Sequence, residues 1–231
     1  MMGGRYLSVG SVVAVGVLGA GFAAWSGLTG PVVAGVQLAA ASENTAASSF
    51  MATVEATESV IGTDEVITVV DMNVRQVPDR ATVVRNGEVT GVAQDRSYRL
   101  TLTQVRDSCW TTVEPPGMEP LECGMSRVHV MDLPGADTTS GVTVEDGTYS
   151  LSPVACRRFI TADVSDPIGM CSVQFRISGS YISWERISFY EAISGANIQV
   201  VETIRFSNYG DVPAITTPAG PPTATASSLG S

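Results

Sequence analysis

Apolar and polar positions alternate with a period of two through most of this chain beyond residue 65. Val66, Thr68, Val70, Met72 and Val74 share one face, with Asp71, Asn73 and Arg75 on the other. Tyr98, Leu100 and Leu102 alternate with Arg99, Thr101 and Thr103, and Val173, Phe175 and Ile177 with Gln174 and Arg176. This pattern predicts half-buried β-strands. Trp184 and Phe189 lie in Tyr181–Tyr190, whose phase shifts near Glu185 in the manner of a β-bulge. Ile198, Val200, Ile204 and Phe206 share a face that Glu202 interrupts. The Asn86-Gly87 pair between extended runs predicts a two-residue hairpin turn, and Ser194–Asn197 predicts another turn.

Upstream the period differs. Ala47, Phe50, Met51, Val54, Thr57 and Ile61 recur at helical spacing, which predicts an amphipathic helix over Glu43–Ile61. Ser42 or Asn44 is placed to cap it and Gly62 to stop it. A second, short helix is expected between Pro153 and Ile168, and a short strand over Arg127–Met131. Pro115–Pro120 and Leu133–Gly141 read as loops. After Pro218 the Pro/Ala/Thr/Ser-rich tail is expected to be disordered. The expected class is α+β, a mostly antiparallel sheet with one N-terminal helix of convincing length. One helix cannot cover eight or more strands, so curvature, a ligand or a partner protein must shield the remainder.

The N-terminus carries a different signal. Arg5 is the only charged residue before Glu43. Tyr6–Trp25 is almost wholly apolar and small, about the 20 residues that cross a bilayer as a helix. Two readings stand: a secretory signal cut after Gly21-Phe-Ala23 or Ala39-Ala-Ala41, or a retained membrane anchor. Both put the folded part outside the cytoplasm, with membrane contact through the N-terminal segment. The region has no cysteine, so it lacks a lipidation site of the bacterial lipoprotein kind.

All 4 cysteines, Cys109, Cys123, Cys156 and Cys171, follow the leader. An even number in an exported chain reads as disulfides, with three possible pairings. The nearest-neighbour pairs Cys109–Cys123 and Cys156–Cys171 are favoured, each closing one strand-loop-strand unit. Zinc fits poorly, because no C-x-x-C pair exists and the sole histidine, His129, stands apart. No cofactor is expected. The 13 basic residues are all arginine, a usage that fits a GC-rich bacterial genome, and the net charge is −10. That charge disfavours nucleic acid.

Enzymatic chemistry finds little support. A hydrolase would need His129 as its base, yet His129 sits in the alternating Arg-Val-His-Val-Met stretch and there is no G-x-S-x-G. Carboxylates cluster at Asp64-Glu65, Glu114/Glu119/Glu122 and Asp163/Asp166, in stretches that read as solvated loops of an acidic chain. The expectation is a non-enzymatic protein.

The layout of leader, long helix, strand meander and closing Phe206-Ser-Asn-Tyr-Gly-Asp211 turn resembles the actinobacterial LppX/LprG-type lipid-binding lipoproteins, relatives of the LolA-like half-barrel carriers. The likeness covers about Ser42 to Pro218 in layout and is residue-specific only in the last strand and turn. It implies a curved sheet with the N-terminal helix packed in its concavity and an apolar cavity for acyl chains. The missing lipidation cysteine and the four added cysteines depart from the family. The implied organisation is a leader or anchor at 1–41, one extracytoplasmic domain at 42–218, and a tail at 219–231. The candidate ligand-lining residues are Val70, Met72, Leu100, Leu102, Phe175, Ile177, Trp184 and Phe206; the same pattern also describes an ordinary filled core. The expected partner is a lipid or other apolar small molecule. The alternative is another envelope protein bound by a filled-core ectodomain.

Overall fold

A computed structural model describes residues 31–63, 65–77, 80–89, 96–106, 108–115, 133–135, 139–160, 169–193 and 196–225. Helix α1 spans Pro31–Ala47 and α2 Pro153–Ile160. The strands are β1 (Phe50–Val60), β2 (Val66–Val77), β3 (Arg80–Val89), β4 (Arg96–Val105), β5 (Ser108–Glu114), β6 (Thr143–Glu145), β7 (Thr148–Ser150), β8 (Gly169–Ser178), β9 (Tyr181–Ile193), β10 (Ala196–Ser207) and β11 (Ala224–Thr225).

These strands form one open antiparallel sheet in the order β11-β5-β4-β3-β2-β1-β10-β9-β8-β7-β6. Two meanders, β1 to β5 and β6 to β10, are zipped together where β1 pairs with β10, from Met51↔Ser207 to Val60↔Ile198. The sheet is curved, an α+β half-barrel with α1 on its concave side. Register shifts at Glu58/Ser59, Gly169/Ser172 and Arg176/Ile177 are of the kind that bend strands. The last leaves Ser183 as the extra residue between Ile182 and Trp184, two positions before the expected phase change at Glu185.

The expected helix over Glu43–Ile61 is corrected. The helix ends at Ala47, and Phe50–Val60 is the central strand of the sheet. Phe50, Ala52 and Val54 alternate onto the buried face, with Thr53 and Glu55 outward. β-Branched Thr53, Val54, Thr57 and Val60 favour that conformation, and pairing on both sides decides it. Gly62, with φ +86°, does end the element, but as the turn into β2. Ser42 is no cap either: it lies within α1 and its hydroxyl donates to Leu38 O at 2.9 Å. Asn44 Nδ2 donates to Ser180 O at 3.1 Å, fastening α1 to the β8–β9 turn.

The expected leader at 1–41 overlaps α1, which begins at Pro31. Ala34, Leu38 and Ala41 are buried in the core cluster with Phe50, Val54, Phe175, Ile182 and Ile204. Small residues let the helix settle close to its neighbours: a Cβ on Gly35 would lie 2.4 Å from Thr139 O. Processing after Ala41 would therefore remove part of the core.

Asn86-Gly87 is not a turn. β3 runs through it, with Asn86 opposite Arg99 and Gly87 opposite Tyr98. The short helix does form. Pro153 stands at its first turn, where a missing N–H costs nothing, and Ser152 Oγ accepts from Ala155 N at 3.3 Å. Cys156 on α2 is bonded to Cys171 on β8, with Cα atoms 6.0 Å apart.

The tail expected to be disordered from residue 219 is partly held. Trp110 Nε1 donates to Gly220 O at 3.1 Å, Thr223 N to Cys109 O at 2.7 Å, and β11 pairs with β5. Arg80 Nη1 donates to Ile215 O at 3.0 Å. The segment thus passes the end of the sheet where β3 and β5 begin, and pairs an edge strand that would otherwise offer open backbone groups. Cys109 is disulfide-bonded; Cys123, Arg127–Met131 and His129 lie outside the described residues.

Candidate functional site: the concave face of the sheet

Register carries one face across the whole sheet. Val54 lies opposite Met72 on one side and Ile204 on the other, and Ile204 lies opposite Glu185. On β4, Leu100 and Leu102 are buried, as are Val70 and Val74 on β2. On β8, Val173 and Phe175 are buried, and Phe159 of α2 meets Phe175 edge-on at 5.9 Å. The two helices do not cover this face evenly. The main contacts of α1 fall on β9 and β6, and those of α2 on β8. Beyond those contacts, β2 and β4 carry the buried apolar residues named above.

Of the candidate lining residues, Val70, Leu100, Leu102, Phe175 and Phe206 are buried on this face, and Met72 and Ile177 are half-buried against the same core. Trp184 is corrected to the opposite face. It pairs with Arg205, whose guanidinium meets exposed Glu55 at 3.0 Å. The Arg176 guanidinium stands 5.2 Å from the Trp184 ring centroid. The extra residue Ser183 reverses the phase between Ile182, which faces the core, and Trp184, which does not. Pattern reading placed the phase change too late to separate them.

Sequence reasoning left out Phe50 and Val54, hidden in the expected helix, and Ile182 and Ile187 on β9. The Phe50-Ala52-Val54 alternation was the available signal, muted by alanine's small side chain.

One end of the face is closed by aromatic packing. Phe50 and Phe206 meet edge-on at 5.4 Å. Tyr209 lies beside them in a turn where Asn208 and Gly210 take positive φ of 54° and 75°. Gly210 N donates to Ser49 O at 2.9 Å, tying that turn to the start of β1. Burial, with Tyr181 adjoining, pushes the Tyr209 phenol up to about 12, against the lowering effect of Thr45.

The face also carries carboxylates. Glu185 and Glu202 are buried on neighbouring strands, one diagonal step apart in the register. Glu58 and Glu191 lie on the same face; burial, then the charge of Glu58, raises the Glu191 pKa. Among the described residues no His/Cys/Asp/Glu group has the arrangement of a metal site. No described helix is long and apolar enough to cross a membrane.

No protein-family model and no curated protein matches the chain. Among solved structures it is similar to a LolA superfamily protein from Nitrosomonas europaea, at 14% identity and a TM-score of 0.32. The match covers 76% of this chain and 92% of that one. The open antiparallel sheet with α1 on its buried face stands on strand order and helix packing rather than on this likeness.

Proposed function

We propose that this is a non-enzymatic cell-envelope protein that binds a lipid or other apolar ligand on the concave face of its sheet, for carriage or presentation. The observation that carries this reading is the continuity of that face. Its buried apolar row runs without a break from β8 to β4. An apolar ligand is one way to complete such a surface. The disulfide fits an extracytoplasmic compartment. The resemblance of the Phe206–Asp211 turn to LppX/LprG-type proteins agrees with a lipid as the ligand.

Native mass spectrometry of the protein taken from the envelope of a lipid-rich bacterial host tests this. Extra mass released on denaturation as an acyl lipid is the expected result. A bare polypeptide mass, with no emission rise from a hydrophobic dye, would overturn it.

One observation favours a second reading, a structural or protein-interaction ectodomain. Leu102, Phe175 and Ile204 are each 0% exposed, so protein atoms alone already bury them. A filled core of this kind predicts the bare mass, and co-purification of one dominant envelope protein.

A further inference from the structure

Helix α1 has two unlike sides. Ala34, Leu38, Ala41 and Thr45 form the stripe that packs into the core. The opposite stripe begins with Val32, Val33 and Val36, exposed by 79%, 37% and 65%. It continues through Ala40 and meets its first charge at Glu43, about 16 Å further along at 1.5 Å per residue. Val144 on β6, one of the strands against which α1 packs, is a further exposed apolar residue at 46%.

Chain continuity says what lies nearby. The apolar run Tyr6–Trp25 ends five residues before Pro31, and Ser26–Gly30 carries no charge. Those five residues reach at most about 20 Å. With the run retained in a bilayer, the first two turns of α1 stay close to its surface, and exposed valines there meet acyl chains instead of water. Exposed Glu145 and Asp146 beside Val144 suit a neutral bilayer better than an anionic one.

We infer that the Val32/Val33/Val36 side of α1 is a membrane-docking surface, which seats the retained-leader form of the domain on a lipid bilayer by the N-terminal end of its first helix. This surface is separate from the concave face, and holds whether or not that face takes a ligand.

The test uses the full chain, oxidised so that its own cysteines are paired, in phosphatidylcholine vesicles. An environment-sensitive nitrobenzoxadiazole label is attached at Val36→Cys, at Val32→Cys as a second variant, and at Glu43→Cys as the control. Circular dichroism confirms that each labelled protein is folded. Blue-shifted emission at positions 32 and 36, quenched at least twofold by vesicles with brominated acyl chains, and an unquenched label at 43 are expected. Water-like emission at 32 and 36 would overturn the inference. So would blue-shifted emission that brominated lipid leaves unquenched, since protein and not lipid would then cover the valines.

Discussion

Tyr209 stacks on Tyr181 with ring centroids 4.3 Å apart and 15° between their planes. Its hydroxyl donates to Ile182 O, and Ile182 N in turn donates to Thr45 Oγ1 at 3.0 Å. This relay joins the turn after the last long strand, the start of β9 and the last turn of α1. The Tyr-Gly-Asp turn thus closes the domain by locking three elements that are distant in sequence.

Removing only the hydroxyl tests the lock. Tyr209→Phe keeps the stacking but leaves Ile182 O without that donor, a loss of about 1 kcal/mol. Tyr209→Ala removes the ring contacts as well and is expected to cost about 3 kcal/mol. Denaturant unfolding of the two variants gives the order; equal losses would show that the ring contacts contribute nothing, and an unchanged Tyr209→Phe would show the same of the hydrogen bond.

The same phenol makes stability depend on alkaline pH. Its folded value is pushed up to about 12 from an ordinary 10.0. The folded state therefore holds its proton more tightly, and stability falls as pH rises from about 10 through about 12. Ultraviolet difference titration should show late-ionising tyrosine, and Tyr209→Phe should lose the latest part of it and flatten the alkaline decline. Burial raises Tyr149 too, so some decline remains in that variant.

Helix α1 is expected to be indispensable. Leu38→Ala should cost about 2–5 kcal/mol, since Leu38 is 0% exposed. Gly35→Ala should also destabilise, by about 1–3 kcal/mol, because its Cβ would strike backbone at Thr139 O. A chain begun at Ser42 should fail to unfold cooperatively, whereas one begun at Ala24 should melt as a single transition. A cooperative melt from the Ser42 chain would favour the boundary at residue 41.

The Cys156–Cys171 bridge closes a sequence separation of 15. In the chain-entropy model, replacing both cysteines by alanine lowers stability by about 3 kcal/mol. Because the bridge ties α2 to β8, amide exchange should rise first over 153–160; a uniform rise across the sheet would contradict this.

The proposed ligand face and the outer face should respond differently. Met72→Gln adds a polar group to the half-buried concave side and is expected to weaken binding of an apolar fluorescent probe about tenfold, or about 1.4 kcal/mol. Trp184→Ala, on the outer side, should leave probe affinity unchanged. The reverse ranking would place the binding surface on the wrong side of the sheet.

Much of the sheet was legible because its strands have one wet face and one dry face. The alternation at Val70-Met72-Val74, Tyr98-Leu100-Leu102 and Val173-Phe175-Ile177 is a direct imprint of that geometry, and so is the shared face of Ile198 and Ile204. Seven of the eight residues named from it are buried or half-buried on the one face. Trp184 is not, because one extra residue inverts the phase and a single sequence does not say where that residue falls.

By itself, the sequence determined the α+β class, the strand periodicity, the second helix and a bridge between cysteines, all properties of local pattern and composition. Tertiary structure alone decided that Phe50–Val60 is a strand, since pairing with β2 and β10 outweighs a helical spacing shared by the same residues. It decided that β3 runs through Asn86-Gly87, because Tyr98 and Val70 stand opposite Gly87 on both sides. It also drew Pro31–Ala47 and the tail to Thr225 into the domain. Leu38 needs a core to bury it, and β5 needs a partner for its edge; neither demand is visible from neighbours along the chain.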